Sequence, residues 1–165
     1  MDSKGVTERM ELRFVDAENA EFAELTRQLD EYYFSIVGDV HKKYAKYNDP
    51  HLFACRVVAY EGDTAAGCGC WKRVDERTIE VKRIFIAPAF RRQGIASAII
   101  GALERDAACH GYTRAILETA RTTGDSAALY HKLGYQEIAY YGSPAGAENC
   151  RCFEKEIPPA AGEEG

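Results

Sequence analysis

Between strand and helix the chain carries one tightly constrained junction, Ile84-Phe85-Ile86-Ala87-Pro88-Ala89-Phe90-Arg91-Arg92-Gln93-Gly94-Ile95-Ala96, in which an apolar strand passes through a basic, glycine-containing turn. From Arg91 to His110 the pattern is helical, with Ile95, Ile99 and Leu103 at four-residue steps and Gly111 closing it. The first amides of such a helix have no intrahelical acceptor, and the positive end of the helix dipole stands behind them. A pyrophosphate is the natural guest there. Gly94 and the small Ala96 let it approach the backbone, while Arg91 or Arg92 adds charge. The turn matches neither the G-x-x-x-x-G-K-[ST] phosphate loop nor the G-x-G-x-x-G dinucleotide turn, and a glycine near a helix start with flanking arginines also occurs on plain surfaces.

The rest of the chain alternates between the periods of strand and helix. Glu11 to Val15 reads as a short strand, and Phe22, Leu25, Leu29, Tyr33 and Ile36 mark a helix that opens at or just before Asn19 and stops at Gly38. Asp39 to Pro50, with His41, Tyr44 and Tyr47, reads as a second short helix broken at Asn48-Asp49-Pro50. Phe53 to Tyr60 and Ala65 to Val74 form a hairpin around Glu61-Gly62-Asp63, and Asp75-Glu76-Arg77 turns the chain into a strand from Thr78 to Ile86. That strand slips phase at Lys82-Arg83, because Ile79 and Val81 have the opposite parity to Ile84 and Ile86. Either one residue bulges out, restoring all four to one face, or the strand is buried on both faces. A strand from Arg114 to Thr119, a helix from Asp125 to Leu133 ended by Gly134, and strands from Gln136 to Tyr140 and Cys150 to Ile157 follow. The pattern predicts one mixed α/β domain over residues 11–157, after a flexible start at 1–10 and before a disordered tail at 158–165.

Composition narrows the function classes. In 165 residues, 46% hydrophobic and 28% charged, no apolar run approaches the roughly 20 residues of a membrane span. The polar stretch from Met1 to Glu11 lacks a signal-peptide core, so a cytoplasmic location is expected, with no membrane partner. A net charge of −5 and small basic clusters argue against nucleic-acid binding. Six cysteines are expected to stay reduced. The pairs Cys68/Cys70 and Cys150/Cys152 could each aim two sulfurs at one point, but their spacing is not that of zinc sites and cysteine is a common buried hydrophobe, so no metal is expected.

Arg91-x-x-Gly94-x-Ala96 resembles the [Q/R]-x-x-G-x-[G/A] motif with which the GCN5-related N-acetyltransferase (GNAT) superfamily binds the pyrophosphate of acetyl-CoA. Ala128-Leu129-Tyr130-His131-Lys132-Leu133-Gly134-Tyr135 resembles the family's recurrent LYEKLGF helix ending, at the usual distance downstream. The family's order of a strand, two helices, three strands, a helix, a strand, a helix and two strands fits the whole span from Glu11 to Ile157. The resemblance implies a single GNAT-like α/β domain of the α+β type. Its sheet would be mixed, mostly antiparallel and about seven-stranded, with flanking helices and a fourth strand that bulges and splays from the fifth so that the pantetheine arm can pair with it. It implies acetyl-CoA as cosubstrate, with the strand Ile84, Phe85 and Ile86 along pantetheine. Arg91 and the amides of Arg92, Gln93, Gly94, Ile95 and Ala96 would lie on the pyrophosphate. Many relatives carry Asn or Gln near the start of the last helix, where this chain has Thr122-Thr123-Gly124.

Acetyl transfer to an amine needs two proton managers. An amine of pKa about 10.4 must lose a proton before it attacks, and a thiolate whose thiol pKa is about 8.5 leaves more easily when protonated. By resemblance Tyr130 is the acid. Glu80, fourteen residues before Gly94 as in the histone-acetylating branch, is a candidate base, and Glu118 at the end of its strand is the rival; either can equally be a salt-bridge partner, and some relatives use water. The acceptor pocket is expected between Gly38–Asn48 and Tyr141–Asn149, where tyrosines, Asp39 and Glu148 could frame an amine. The expected activity is direct attack of a small-molecule or peptide amine in a ternary complex, by a monomer or a homodimer. The alternative is a catalytically silent acyl-CoA sensor. A ping-pong route through Cys109 is disfavoured, since it and His110 diverge by about 100° on a helix.

Overall fold

Asn19 opens the first helix, its Oδ1 accepting the Phe22 amide at 2.8 Å as an N-cap. A computed structural model describes residues 10–37, 48–120, 124–142 and 149–160. The elements are β1 (Met10–Val15), α1 (Ala20–Val37), β2 (Cys55–Glu61), β3 (Thr64–Arg73), β4 (Thr78–Ile86), α2 (Ile95–Cys109), β5 (Arg114–Ala120), α3 (Gly124–Lys132), β6 (Gln136–Ile138) and β7 (Cys150–Glu156). The seven strands form one sheet in the order β1-β2-β3-β4-β5-β7-β6, with β4 and β5 parallel and the other neighbours antiparallel. The second helix predicted for Asp39 to Pro50 falls largely outside the described residues.

Alternation along the strands builds two cores, one on each face. Phe22, Leu25 and Leu29 of α1 meet Val58, Tyr60, Cys68, Cys70 and Phe85. Ile95, Ile99, Ile100 and Leu103 of α2 meet Val57, Ala59, Trp71, Ile79, Val81, Tyr130 and Phe153 on the opposite face. The phase slip in β4 is a bulge: Cys70 pairs with Lys82 and Cys68 with Phe85, so two steps on β3 span three on β4, and Arg83 takes a left-handed φ of 60°. Ile79, Val81, Ile84 and Ile86 thereby all pack on the α2 side, while Phe85 is buried on the other.

The Gly67-Cys68-Gly69-Cys70 run follows from the same geometry. The cysteines are buried under α1, with thiols near the Arg83 and Lys82 carbonyls at 3.5 and 3.3 Å. The glycines clear the α2 face: a Cβ on Gly69 would lie 2.5 Å from Ile84 Cδ1 and 2.8 Å from Ile99 Cγ2. Gly69→Ala is therefore expected to destabilise by about 1–3 kcal/mol through overpacking. Thermal denaturation should show a lower Tm, by about 2–4 °C per kcal/mol; an unchanged Tm would mean that α2 does not press on this strand.

The helix predicted from Arg91 begins instead at Ile95. Pro88–Phe90 form a 3-10 turn, and Gly94, at φ 79°, is the helix N-cap, a conformation outside the right-handed helix. At the C-terminus of the chain, Ile157 is buried and donates its amide to Thr113, and Ala160 packs against the core.

Candidate active site

Strand pairing opens a wedge in the middle of the sheet. β4 and β5 pair only through Thr78/Arg114, Ile79/Ala115 and Glu80/Ile116. Beyond that point β4 continues with β3 as far as Ile86/Gly67, and β5 with β7 as far as Ala120/Cys150. The bulge at Arg83 bends β4 away at the start of the gap. The Ala87 amide bonds Ala66 O at 2.8 Å, so by alternation the amides of Ile84 and Ile86 turn from β3 into the wedge. The Ile86 carbonyl accepts from Arg91 Nε at 3.0 Å. Phe85 is turned the other way, its side chain buried below the wedge among the α1-side residues.

The wedge leads to the turn before α2. Among the described residues, none accepts a hydrogen bond from the amides of Arg92 to Ser97. Arg92 at φ 65° and Gly94 at φ 79° are left-handed, and such residues turn successive amides to one side in an anion-binding nest. A Cβ added at Gly94 would meet nothing within 4 Å. The site thus offers open space at Gly94, unaccepted amides and the positive end of a helix dipole, which fit a pyrophosphate. Ser97 adds an amide that the sequence reading omitted; it becomes the third helical residue once Gly94 is seen to be the cap. The guanidinium of Arg91 lies over the Phe85 ring at 5.8 Å, tied back to the strand end.

Tyr130 stands on the α2 side of the wedge. The helix ending that carries it is a Schellman cap: Gly134 at φ 96° donates to His131 O at 3.1 Å, and Tyr135 N–H donates to Tyr130 O at 2.9 Å. Tyr135 then packs edge-on against Tyr130 with centroids 5.8 Å apart, Phe153 lies at 6.0 Å, and the Tyr135 hydroxyl is anchored on Glu104 at 2.9 Å. The Leu-Tyr-x-x-Leu-Gly-Tyr spacing is therefore what pins the Tyr130 ring. Among the described residues none bonds the Tyr130 hydroxyl. Burial, reinforced by the Tyr33 phenol of α1, keeps it protonated well above the usual tyrosine range.

Glu80 and Glu118 share the opposite, α1 side, since they alternate with the buried Ile79/Val81 and Ala115/Leu117. Glu80 Oε2 accepts the Tyr141 hydroxyl at 2.6 Å, and its Oε1 is 4.0 Å from Lys82 Nζ. Glu118 Oε1 accepts the Tyr140 hydroxyl at 3.5 Å. Burial raises the Glu118 carboxyl above its ordinary range and the charge of Glu80 adds to this, against the Cys150 thiol, Lys82 and the Tyr140 hydroxyl. Burial also lowers the Lys82 ammonium, opposed by Glu80. Arg83 is occupied elsewhere, with Nη2 on Asp30 at 2.9 Å and on Thr26 O at 3.0 Å.

Both candidate bases thus lie on the α1 side where the β4–β5 pairing ends, and the candidate acid lies on the opposite face, its ring against Phe153, which pairs with Leu117 of β5. Asp39, Glu148, Thr122 and Thr123 lie outside the described residues. Lys82 follows Glu80 by two positions and so shares its face of the strand, Tyr140 and Cys150 join the carboxylates without a local sequence signal, and Tyr141, expected among the tyrosines that frame the acceptor amine, sits instead on Glu80. Among the described residues no three His, Cys, Asp or Glu side chains gather as metal ligands, and no helix is long and apolar enough to cross a membrane.

The model of the acetyltransferase (GNAT) family matches residues 13–135. The chain is 35% identical over 80 residues to the uncharacterized N-acetyltransferase YsnE of Bacillus subtilis, covering 47% of this chain and 53% of that protein, about half its length. It is 28% identical over 130 residues to the uncharacterized N-acetyltransferase YjgM of Escherichia coli, covering 78% and 77%. The solved PaiA N-acetyltransferase of Thermoplasma acidophilum, in complex with coenzyme A, has a similar fold, with a TM-score of 0.70 at 17% identity over 89% of this chain and 98% of that one.

Proposed function

The chain belongs to the acetyltransferase (GNAT) family, and from that footing we propose that it transfers the acetyl group of acetyl-CoA to a small-molecule or peptide amine by direct attack, with both substrates bound together. The observation that carries this reading is the wedge, which joins an anion cradle at one end to a proton donor and proton acceptors on opposite faces of its mouth. The coenzyme A complex of the similarly folded PaiA N-acetyltransferase supports it.

When bound, acetyl-CoA supplies an activated acyl thioester. The amides of Arg92 to Ser97 hold its pyrophosphate, and the Ile84 and Ile86 amides pair with the pantetheine arm as an added strand would. Glu118 accepts the proton of the acceptor ammonium, for which its raised affinity suits it. Tyr130 gives its hydroxyl proton to the departing sulfur.

Release of free thiol from acetyl-CoA against a panel of polyamines, aminoglycosides, amino acids, peptide N-termini and lysine peptides tests the activity and finds the acceptor. With the best acceptor, Glu118→Gln should lower kcat by about 10²–10⁴-fold at neutral pH and by less at high pH, where more amine is already neutral. Wild-type rate should fall as pH drops through the raised Glu118 value, and Glu80→Gln should move that limb to lower pH by removing the charge that raises Glu118. A Glu118→Gln variant that keeps the wild-type pH profile would pass the role to Glu80 or to water.

A further inference from the structure

Two consecutive tyrosines just past β6 reach two carboxylates on different strands. Tyr140 donates to Glu118 on β5, and Tyr141 donates to Glu80 on β4. In the sheet order β4-β5-β7-β6 the reach from β6 to Glu80 crosses both intervening strands. The next residue lies against both: a Cβ on Gly142 would press on Glu118 Oε2 and on Tyr140 Oη. Tyr140, Tyr141 and Gly142 therefore lie against the carboxylate pair, and a side chain at position 142 would require the Glu118 carboxylate and the Tyr140 ring to shift.

Resting on the transferase reading above, we propose that Tyr141 is a positioning residue for proton transfer, holding Glu80 in place as the standing anion of the pair so that the proton leaving the amine is taken by Glu118. In that step one N–H bond of the acceptor ammonium breaks, one O–H bond forms on Glu118, and the nitrogen keeps the electron pair with which it attacks. A donated hydrogen bond favours the charged form of the carboxylate that receives it, and two neighbouring carboxylates resist being charged together. The 2.6 Å bond from Tyr141 is the stronger of the two tyrosine contacts, so the standing charge belongs on Glu80. Among the described residues the groups facing the pair are Lys82 on β4, Lys72 across on β3, Cys150 and Cys152 on β7, Tyr140 and Tyr141 after β6, and Tyr33 on α1. The half-buried Lys82 offsets part of the pair's charge.

The test is carboxyl 13C NMR of the 165-residue chain labelled at the glutamate δ-carbon, with the pair assigned from Glu80→Gln and Glu118→Gln. Because interacting groups titrate as a unit, Tyr141→Phe should move the pair's midpoints upward by about half a pH unit or more. With the fastest acceptor of the panel it should lower kcat by about tenfold and shift the acidic limb of the rate profile to higher pH, leaving acetyl-CoA affinity unchanged. In a Glu80→Gln background the same substitution should add less than about a twofold loss, because its target charge is gone. Unmoved midpoints in a folded Tyr141→Phe protein would overturn the proposal, as would an equal loss in both backgrounds, which would mean that Tyr141 acts on the substrate directly. Failure of the wild-type protein to bind acetyl-CoA would remove the transferase reading and the proton route with it. The NMR midpoints need neither substrate, which keeps that failure distinct from a failure of the tyrosine's hold on Glu80.

Discussion

Gly94→Glu should abolish measurable acetyl-CoA binding in a protein that still folds. The position tolerates a side chain sterically, since an added Cβ meets nothing within 4 Å, but at φ 79° any L residue costs about 1–2 kcal/mol. That cost is small against the stability of a domain and leaves the sheet and both cores untouched. The introduced carboxylate, however, stands at the helix N-cap among the amides proposed to hold the pyrophosphate, and it brings like charge to an anion site. A loss of 100-fold or more in affinity, about 3 kcal/mol, is expected by titration calorimetry. Gly94→Ala carries the backbone strain without the charge and should lose far less. Unchanged affinity in a folded Gly94→Glu protein would mean that the pyrophosphate binds elsewhere.

Tyr130→Phe should separate chemistry from binding. The ring contacts with Tyr135 and Phe153 survive the change, and among the described residues the hydroxyl has no partner to leave unsatisfied. Stability should stay within about 0.5 kcal/mol of wild type. If the hydroxyl protonates the leaving sulfur, kcat should drop about ten- to a thousandfold with acetyl-CoA affinity barely altered. Burial holds this phenol protonated across the working range, so the loss should be nearly independent of pH, unlike that of Glu118→Gln. A Tyr130→Phe protein with wild-type kcat would leave the tyrosine a packing role alone.

The pyrophosphate cradle is legible in the sequence because it is contiguous: its amides belong to neighbouring residues, and a glycine with positive φ is a local property of the chain. What sequence periodicity placed poorly was the helix start. Ile95, Ile99 and Leu103 mark the buried face of α2 but do not say where its first turn begins; Gly94 does, through its left-handed cap. The bulge shows the same division. Parity announced a conflict at Lys82-Arg83, and only the pairing of Cys68 and Cys70 with β4 resolved it as an extra residue.

By itself the sequence determined, to within a few residues, the seven strands and the three helices among the described residues, the stops at Gly111 and Gly134, and the resemblance that pairs the cradle with Tyr130. Each depends on residues within a few positions of one another, where backbone hydrogen bonding and the two periodicities operate. Only the tertiary structure decided that pairing of β4 with β5 ends at Glu80 and Ile116, that Glu80 and Glu118 share one side of the resulting wedge with Tyr130 on the other, and that Tyr141 reaches Glu80 from 61 residues away. Those outcomes depend on sheet order and register, which join residues remote in the chain, and no local pattern of polar and apolar residues encodes which distant strand becomes a neighbour.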